Sequence, residues 1–116
     1  MDETESIVLS LIEEFKIQHH ALSTGSYRTN NKSVDRSSKL FRALRELNKV
    51  EELLKYLKSD SAEIRASVAV YCLPIDELNC LSVLKEIRDT DDSILGLQAK
   101  YAVSNWHEDR YHLWDD

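Results

Sequence analysis

The sequence predicts an all-α protein, a short superhelical stack of about three helical hairpins in a single domain of 116 residues. Three observations carry that expectation. Slid by thirty places, the chain repeats itself: Leu54 falls on Leu84, Lys55 on Lys85, Ile64 on Ile94, Ala69 on Ala99 and Tyr71 on Tyr101. Repeats of this length are hairpins that cannot bury their apolar face alone and stack in order to do so. Only two glycines and one proline interrupt the chain, so regular structure is seldom broken. Alternating β-branched runs bounded by Gly/Asn turns, the mark of strands, are missing.

Each element follows from its own residues. Asp2 and Glu5 stand three apart, as a helix N-cap and its partner do, and open a helix over Glu3 to Leu22. Its stripe is Ile7, Val8, Leu11, Ile12, Phe15 and Leu22, with His19 on the same side. Gly25 suits a left-handed C-cap, and Ser26 is placed to cap the next segment. That segment, Tyr27 to Leu47, carries a stripe of Val34, Leu40, Phe41, Leu44 and Leu47, extended backwards by Asn30, Asn31 and Ser37. Arg28, Lys32, Arg36 and Lys39 follow its other edge. Asn48 and Lys49 turn the chain into a helix over Val50 to Leu57, acidic at its start and basic at its end, as the helix dipole prefers.

The second half repeats a pattern. Asp60 with Glu63 forms a capping pair for a helix over Ser61 to Cys72. Leu73-Pro74 stops it, because a residue before proline is pushed out of the helical region. Asp76 caps the next helix, whose Leu78, Leu81, Leu84 and Ile87 share one side. Asp91 or Asp92 caps a last helix, Ser93 to Trp106. Residues 107–116 show no period and are expected to form a solvated tail, with Trp114 available to dock. The organisation is thus a divergent first hairpin over 1–48, repeats over 50–73 and 76–106, and a tail.

The net charge of −6 is uneven. Between Arg28 and Lys49 seven basic residues meet two acidic ones, a local balance of +5 that leaves −11 elsewhere. A net-acidic chain is a poor nucleic-acid binder, since affinity for phosphate comes from cationic side chains. It suits a basic protein partner better. No apolar run approaches the ~18 residues of a membrane span. The first residues are acidic where a signal peptide is basic, so a cytoplasmic protein with no membrane partner is expected. Cys72 and Cys80 fit two buried reduced thiols.

The stretch Asp60-Ser-Ala-Glu-Ile64-Arg65-Ala66-Ser-Val68-Ala69 resembles the second half of a HEAT repeat, with Leu53, Leu54 and Leu57 supplying the preceding helix. The second copy departs from it: Leu95 replaces the arginine and Gly96 the alanine. Over nearly its whole length the chain also resembles a bacterial HEAT-like family known only as a domain of unknown function. That likeness rests on Leu11 and Phe15, Ala21-Leu22 with Gly25, Arg28 and Asn31-Lys32, then the Ile-Arg turn, Leu81, Leu84, Ile87, Ala99 and Trp106. It implies an all-α fold with no settled activity. Some small HEAT-like proteins of this kind are similar to immunity proteins encoded beside bacterial toxins.

Catalytic and metal-binding arrangements are not evident. His19 and His20 diverge by about 100° on a helix. His107, Glu108, Asp109 and His112 lack dependable ligand spacing and fit a solvated tail. The carboxylate pairs lie on solvated faces or helix starts. No phosphate loop, nucleophile elbow or HExxH occurs. We therefore expect no enzyme activity, no metal and no cofactor.

The expected function is a non-catalytic protein-interaction module, in particular an immunity-type protein that occludes a basic toxin domain. Candidate contacts are Asp60, Glu63, Asp91 and Asp92 in the repeat turns, and the paired Tyr71 and Tyr101. Asn31, with Asn30, sits where Val or Leu is expected, and either clamps a backbone at the helix joint or faces a cleft. Two other readings stay open. One is nucleic-acid binding along Arg28–Lys39, as in the HEAT-like alkylpurine DNA glycosylases; the other is a homodimeric adaptor or scaffold.

Overall fold

A computed structural model describes residues 2–115, and these group into two compact units divided between Leu53 and Leu54. Among the described residues the elements are all helical: five α-helices and one 3₁₀ helix.

The first unit is built on α1 (Glu3–Thr24) and α2 (Tyr27–Glu46), which pack against each other. As expected, the Asp2 carboxylate accepts the Glu5 N–H at 2.8 Å. Val8, Leu11, Ile12, Phe15 and Ala21 are buried. Gly25 closes α1 at φ 76°, and its N–H and that of Ser26 return to carbonyls of the last turn, a left-handed cap that glycine adopts without steric cost. Ser26 stands at the N-cap of α2 but does not cap with its side chain; the hydroxyl goes to that of Thr29, 2.8 Å away.

The buried side of α2 differs from the expected stripe. Phe41 and Leu44 are buried, but Val34 and Leu47 are exposed and Leu40 is half-buried. Ser37, which the stripe includes, and Ser33, which it does not, are both at 0% exposure and take the inward positions. Adjacent residues on a helix point about 100° apart, so a one-residue shift changes the face. The Ser33 hydroxyl meets the Glu14 carboxylate at 2.8 Å and its backbone carbonyl at 3.1 Å. Gln18 Nε2 donates to Ser37 Oγ at 2.6 Å. Small hydroxyls at the joint allow close approach, and both serine hydroxyls are partnered. Asn30 is half-buried and Asn31 exposed, so neither is fully buried on the stripe as expected, and the serines make the joint.

Glu14 also takes the Arg36 Nε at 3.0 Å. Burial pushes its carboxyl up, but the hydrogen bonds from Arg36 and Ser33 and the guanidinium charge outweigh it, holding Glu14 below its ordinary 4.5. The folded value lies below the unfolded one, so this carboxylate stabilises the unit above pH 4.5 and ceases to as pH falls through the lowered value. The stability gap between the wild type and Glu14→Gln is therefore expected to narrow as the pH is lowered from 6 to 3 in urea titrations. A constant gap would assign Glu14 a packing role only.

The 3₁₀ helix, Val50–Lys58, straddles the division between the units. It replaces the α-helix expected there. Val50 and Leu53 are its buried residues, and a spacing of three aligns side chains in a 3₁₀ turn. Asn48, at φ 57°, makes the preceding turn.

The second unit holds α3 (Ala62–Cys72), α4 (Glu77–Thr90), α5 (Ile94–His107) and residues 108–115. Helix α4 packs against both α3 and α5. Trp106 Nε1, near the end of α5, donates to Glu77 at the start of α4 at 2.9 Å, which sets these two helices antiparallel. The core gathers Ile64, Val68, Ala69, Cys72, Leu73, Cys80, Leu84, Ile87, Leu95, Ala99 and Val103. Leu78, expected on the core side of α4, is 82% exposed; Cys80 is buried instead. Both thiols are deep, and burial, with the nearby Asp76 charge, pushes Cys80 up to about 12.

Two caps are one or two residues away from their expected positions. Ser61, in place of Asp60, accepts the Ile64 N–H, and Ser93, in place of Asp91 or Asp92, accepts that of Leu95, both at 3.3 Å. Asp76 caps α4 as expected, accepting the Asn79 N–H at 3.4 Å.

The end of α3 and the last residues form one device. Leu73 keeps helical angles, φ −48° and ψ −45°, so it is not expelled from the helical region. The helix stops because Pro74 has no N–H to offer the Val70 carbonyl. The Ile75 N–H then turns to Cys72 O at 3.0 Å, away from the Tyr71 carbonyl that an α-helix would give it. These two carbonyls are met by the segment expected to be a solvated tail. Tyr111 Oη donates to Val70 O at 2.5 Å and lies 3.3 Å from Tyr71 O, and Trp114 Nε1 donates to Tyr71 O at 2.8 Å. Asp109, at φ 57°, reverses the chain, and Tyr111 packs edge-on against Trp106 with centroids 5.1 Å apart.

Candidate protein-binding surface

Helix α5 is apolar on two sides. Leu95, Gly96, Ala99 and Val103 face the core. Ile94, Leu97 and Tyr101, spaced i, i+3 and i+7, lie on the opposite side and are 54%, 46% and 58% exposed. At 1.5 Å rise per residue they form a strip about 10 Å long. Lys100, on its flank, is the single lysine, arginine or carboxylate residue of the helix. A helix apolar all round is normally buried all round.

Both ends of this strip are acidic. At the start, Asp91 accepts the Ser93 N–H at 2.8 Å and also takes the Ser93 hydroxyl. The Ser93 hydrogen bonds hold the Asp91 carboxyl below the usual carboxylate range, so it is charged at neutral pH. Asp92 beside it is exposed. At the far end stand Glu108 and Asp109, both exposed, with Glu108 paired to Arg110. Residues 54–116 hold seven basic and twelve acidic residues, net −5. Gly96 lets the α4–α5 turn close: a Cβ on it would stand 1.8 Å from the Asp91 carbonyl oxygen.

The candidate contacts divide among several places. Asn31 is exposed on α2 in the first unit. Asp60 and Glu63 are exposed at the start of α3. Tyr71 is half-buried near the docked C-terminal segment, and burial pushes its phenol up. Asp91, Asp92 and Tyr101 belong to the α5 strip and its acidic end. The repeat partners Tyr71 and Tyr101 are thus not equivalent in exposure, nor are Ile64, which is buried, and Ile94, which is not. Ile94 and Leu97 were missed as surface residues. Their signal in the sequence is a second apolar stripe on one helix, complementary to that of Leu95, Ala99 and Val103.

The basic edge of α2 is smaller than its sequence suggests. Arg28, Lys32 and Lys39 are exposed, while Arg36 is ion-paired with Glu14. Among the described residues no group of three or more His, Cys, Asp or Glu is placed to hold a metal. His112 pairs with Asp115 at 2.8 Å. No helix of the described residues is long and apolar enough to cross a membrane. Comparison with family models, with curated proteins and with solved structures finds no match to this chain.

Proposed function

We propose that the protein is a non-catalytic interaction module built as a short HEAT-like stack, and that it acts as an immunity-type protein by binding and occluding a basic toxin domain. The observation that carries this reading is the outer side of α5. There an uncharged strip of Ile94, Leu97 and Tyr101 lies in water between two acidic ends. Exposed contiguous apolar surface rimmed by charge is typical of protein contact sites. The thirty-residue echo supports the stack: Ala69 and Ala99, and Leu73 and Val103, are buried in both copies.

The experiment is a direct one. The gene should lie beside one for a secreted toxin, and the two purified proteins should form a stable complex whose association slows as salt is raised. A neighbourhood without a toxin, or a toxin that does not bind, would refute the immunity reading.

A further inference from the structure

We propose that the outer side of α5 is the docking strip for an amphipathic helix of a partner protein, one carrying lysine or arginine at both of its ends. The proposal rests on the protein-binding reading above and specifies its contact. Ile94, Leu97 and Tyr101 present the one-sided spacing by which a second helix is gripped. Tyrosine on such a strip supplies a large contact area and a hydroxyl at its edge. Ser104 and Asn105 continue the strip without charge.

The ends decide what lies on it. A second copy of α5 would set acid against acid in either orientation. Antiparallel, Asp92 would approach the Glu108 end of the other copy; parallel, each acidic end would meet itself. Like charges opposed across a contact are unfavourable. Anionic lipid headgroups and nucleic-acid phosphates are disfavoured for the same reason. A helix with cations at both ends satisfies Asp91 and Asp92 at one end and Asp109, beside the Glu108–Arg110 pair, at the other, while its apolar residues cover the strip.

The test is an NMR titration of the full chain with two synthetic helical peptides of about 18 residues. They share one leucine face and differ only in having lysine or glutamate at both ends. The lysine-ended peptide is expected to bind roughly ten-fold or more tightly than its counterpart, to shift the amides of residues 94–105, and to lose its advantage at high salt. Leu97→Glu and Tyr101→Glu, which change exposed side chains and should leave the circular dichroism unchanged, should each weaken it by roughly ten-fold. Equal affinity for both peptides, or shifts confined to other helices, would overturn the proposal. So would self-association that Leu97→Glu abolishes, since that assigns the strip to a second copy. The two readings fail separately. A toxin that binds Leu97→Glu undiminished removes the strip and keeps the module. A lysine-ended peptide on α5 with no toxin partner keeps the strip and removes the immunity role.

Discussion

Gly96→Ala is expected to destabilise the protein by about 2 kcal/mol or more, lowering Tm by on the order of 10 °C. In most helices this substitution is favourable by up to ~1 kcal/mol, because alanine loses less backbone entropy. Here the added Cβ would lie 1.8 Å from the Asp91 carbonyl oxygen and 2.9 Å from its carbon. Both are backbone atoms of the α4–α5 turn and have no rotamer by which to move aside. The clash therefore outweighs the propensity gain. Displacing Asp91 would also disturb its hydrogen bonds to Ser93, the cap of α5. Urea denaturation checks the sign: a variant stabilised by ~1 kcal/mol would mean that the turn opens freely and that this close approach is not needed.

Tyr111→Phe is expected to cost about 1–3 kcal/mol, the penalty for leaving a half-covered carbonyl without its donor. The reason is 37 residues away in the sequence, at Pro74. Because the proline offers no N–H, the Val70 carbonyl depends on the Tyr111 hydroxyl, and the Tyr71 carbonyl on Trp114. A double-mutant cycle isolates this dependence. In a Pro74→Ala background residue 74 regains an N–H, and Leu73 already has helical angles, so α3 can extend and serve Val70 itself. Tyr111→Phe should then cost markedly less than in the wild type. Equal costs in both backgrounds would show that Tyr111 acts through packing on Trp106 and not through the stranded carbonyl.

The helical class and most element ends are legible in the sequence, because the apolar period and the Gly25, Pro74 and Asp76 signals are local. The misses have physical causes. Serine and aspartate stand side by side at Asp60-Ser61 and Asp92-Ser93, and either can cap; the path of the incoming chain selects the serine. On α2 the stripe through Val34 and Ser37 is right at Ser37 and wrong at Val34, because close approach to α1 selects Ser33, which carries no hydrophobic signal. Residues 108–115 lack a period because they answer to the non-local needs of α3. The candidate surface was half legible. Tyr101, Asp91 and Asp92 follow from the repeat, but the exposure of Ile94, whose repeat partner Ile64 is buried, and of Leu97 does not, since apolarity alone does not say which of two stripes meets water.

The strip on α5 is where the proposed function meets the fold. One side of α5 is exposed and uncharged, and in the proposed reading the acids at its ends select the partner. The most direct measurement is survival of cells that express the proposed toxin partner together with this protein. Wild-type protein should restore growth, and Leu97→Glu, made at equal level and equally folded, should not. Protection that persists undiminished in Leu97→Glu and Tyr101→Glu would contradict the account.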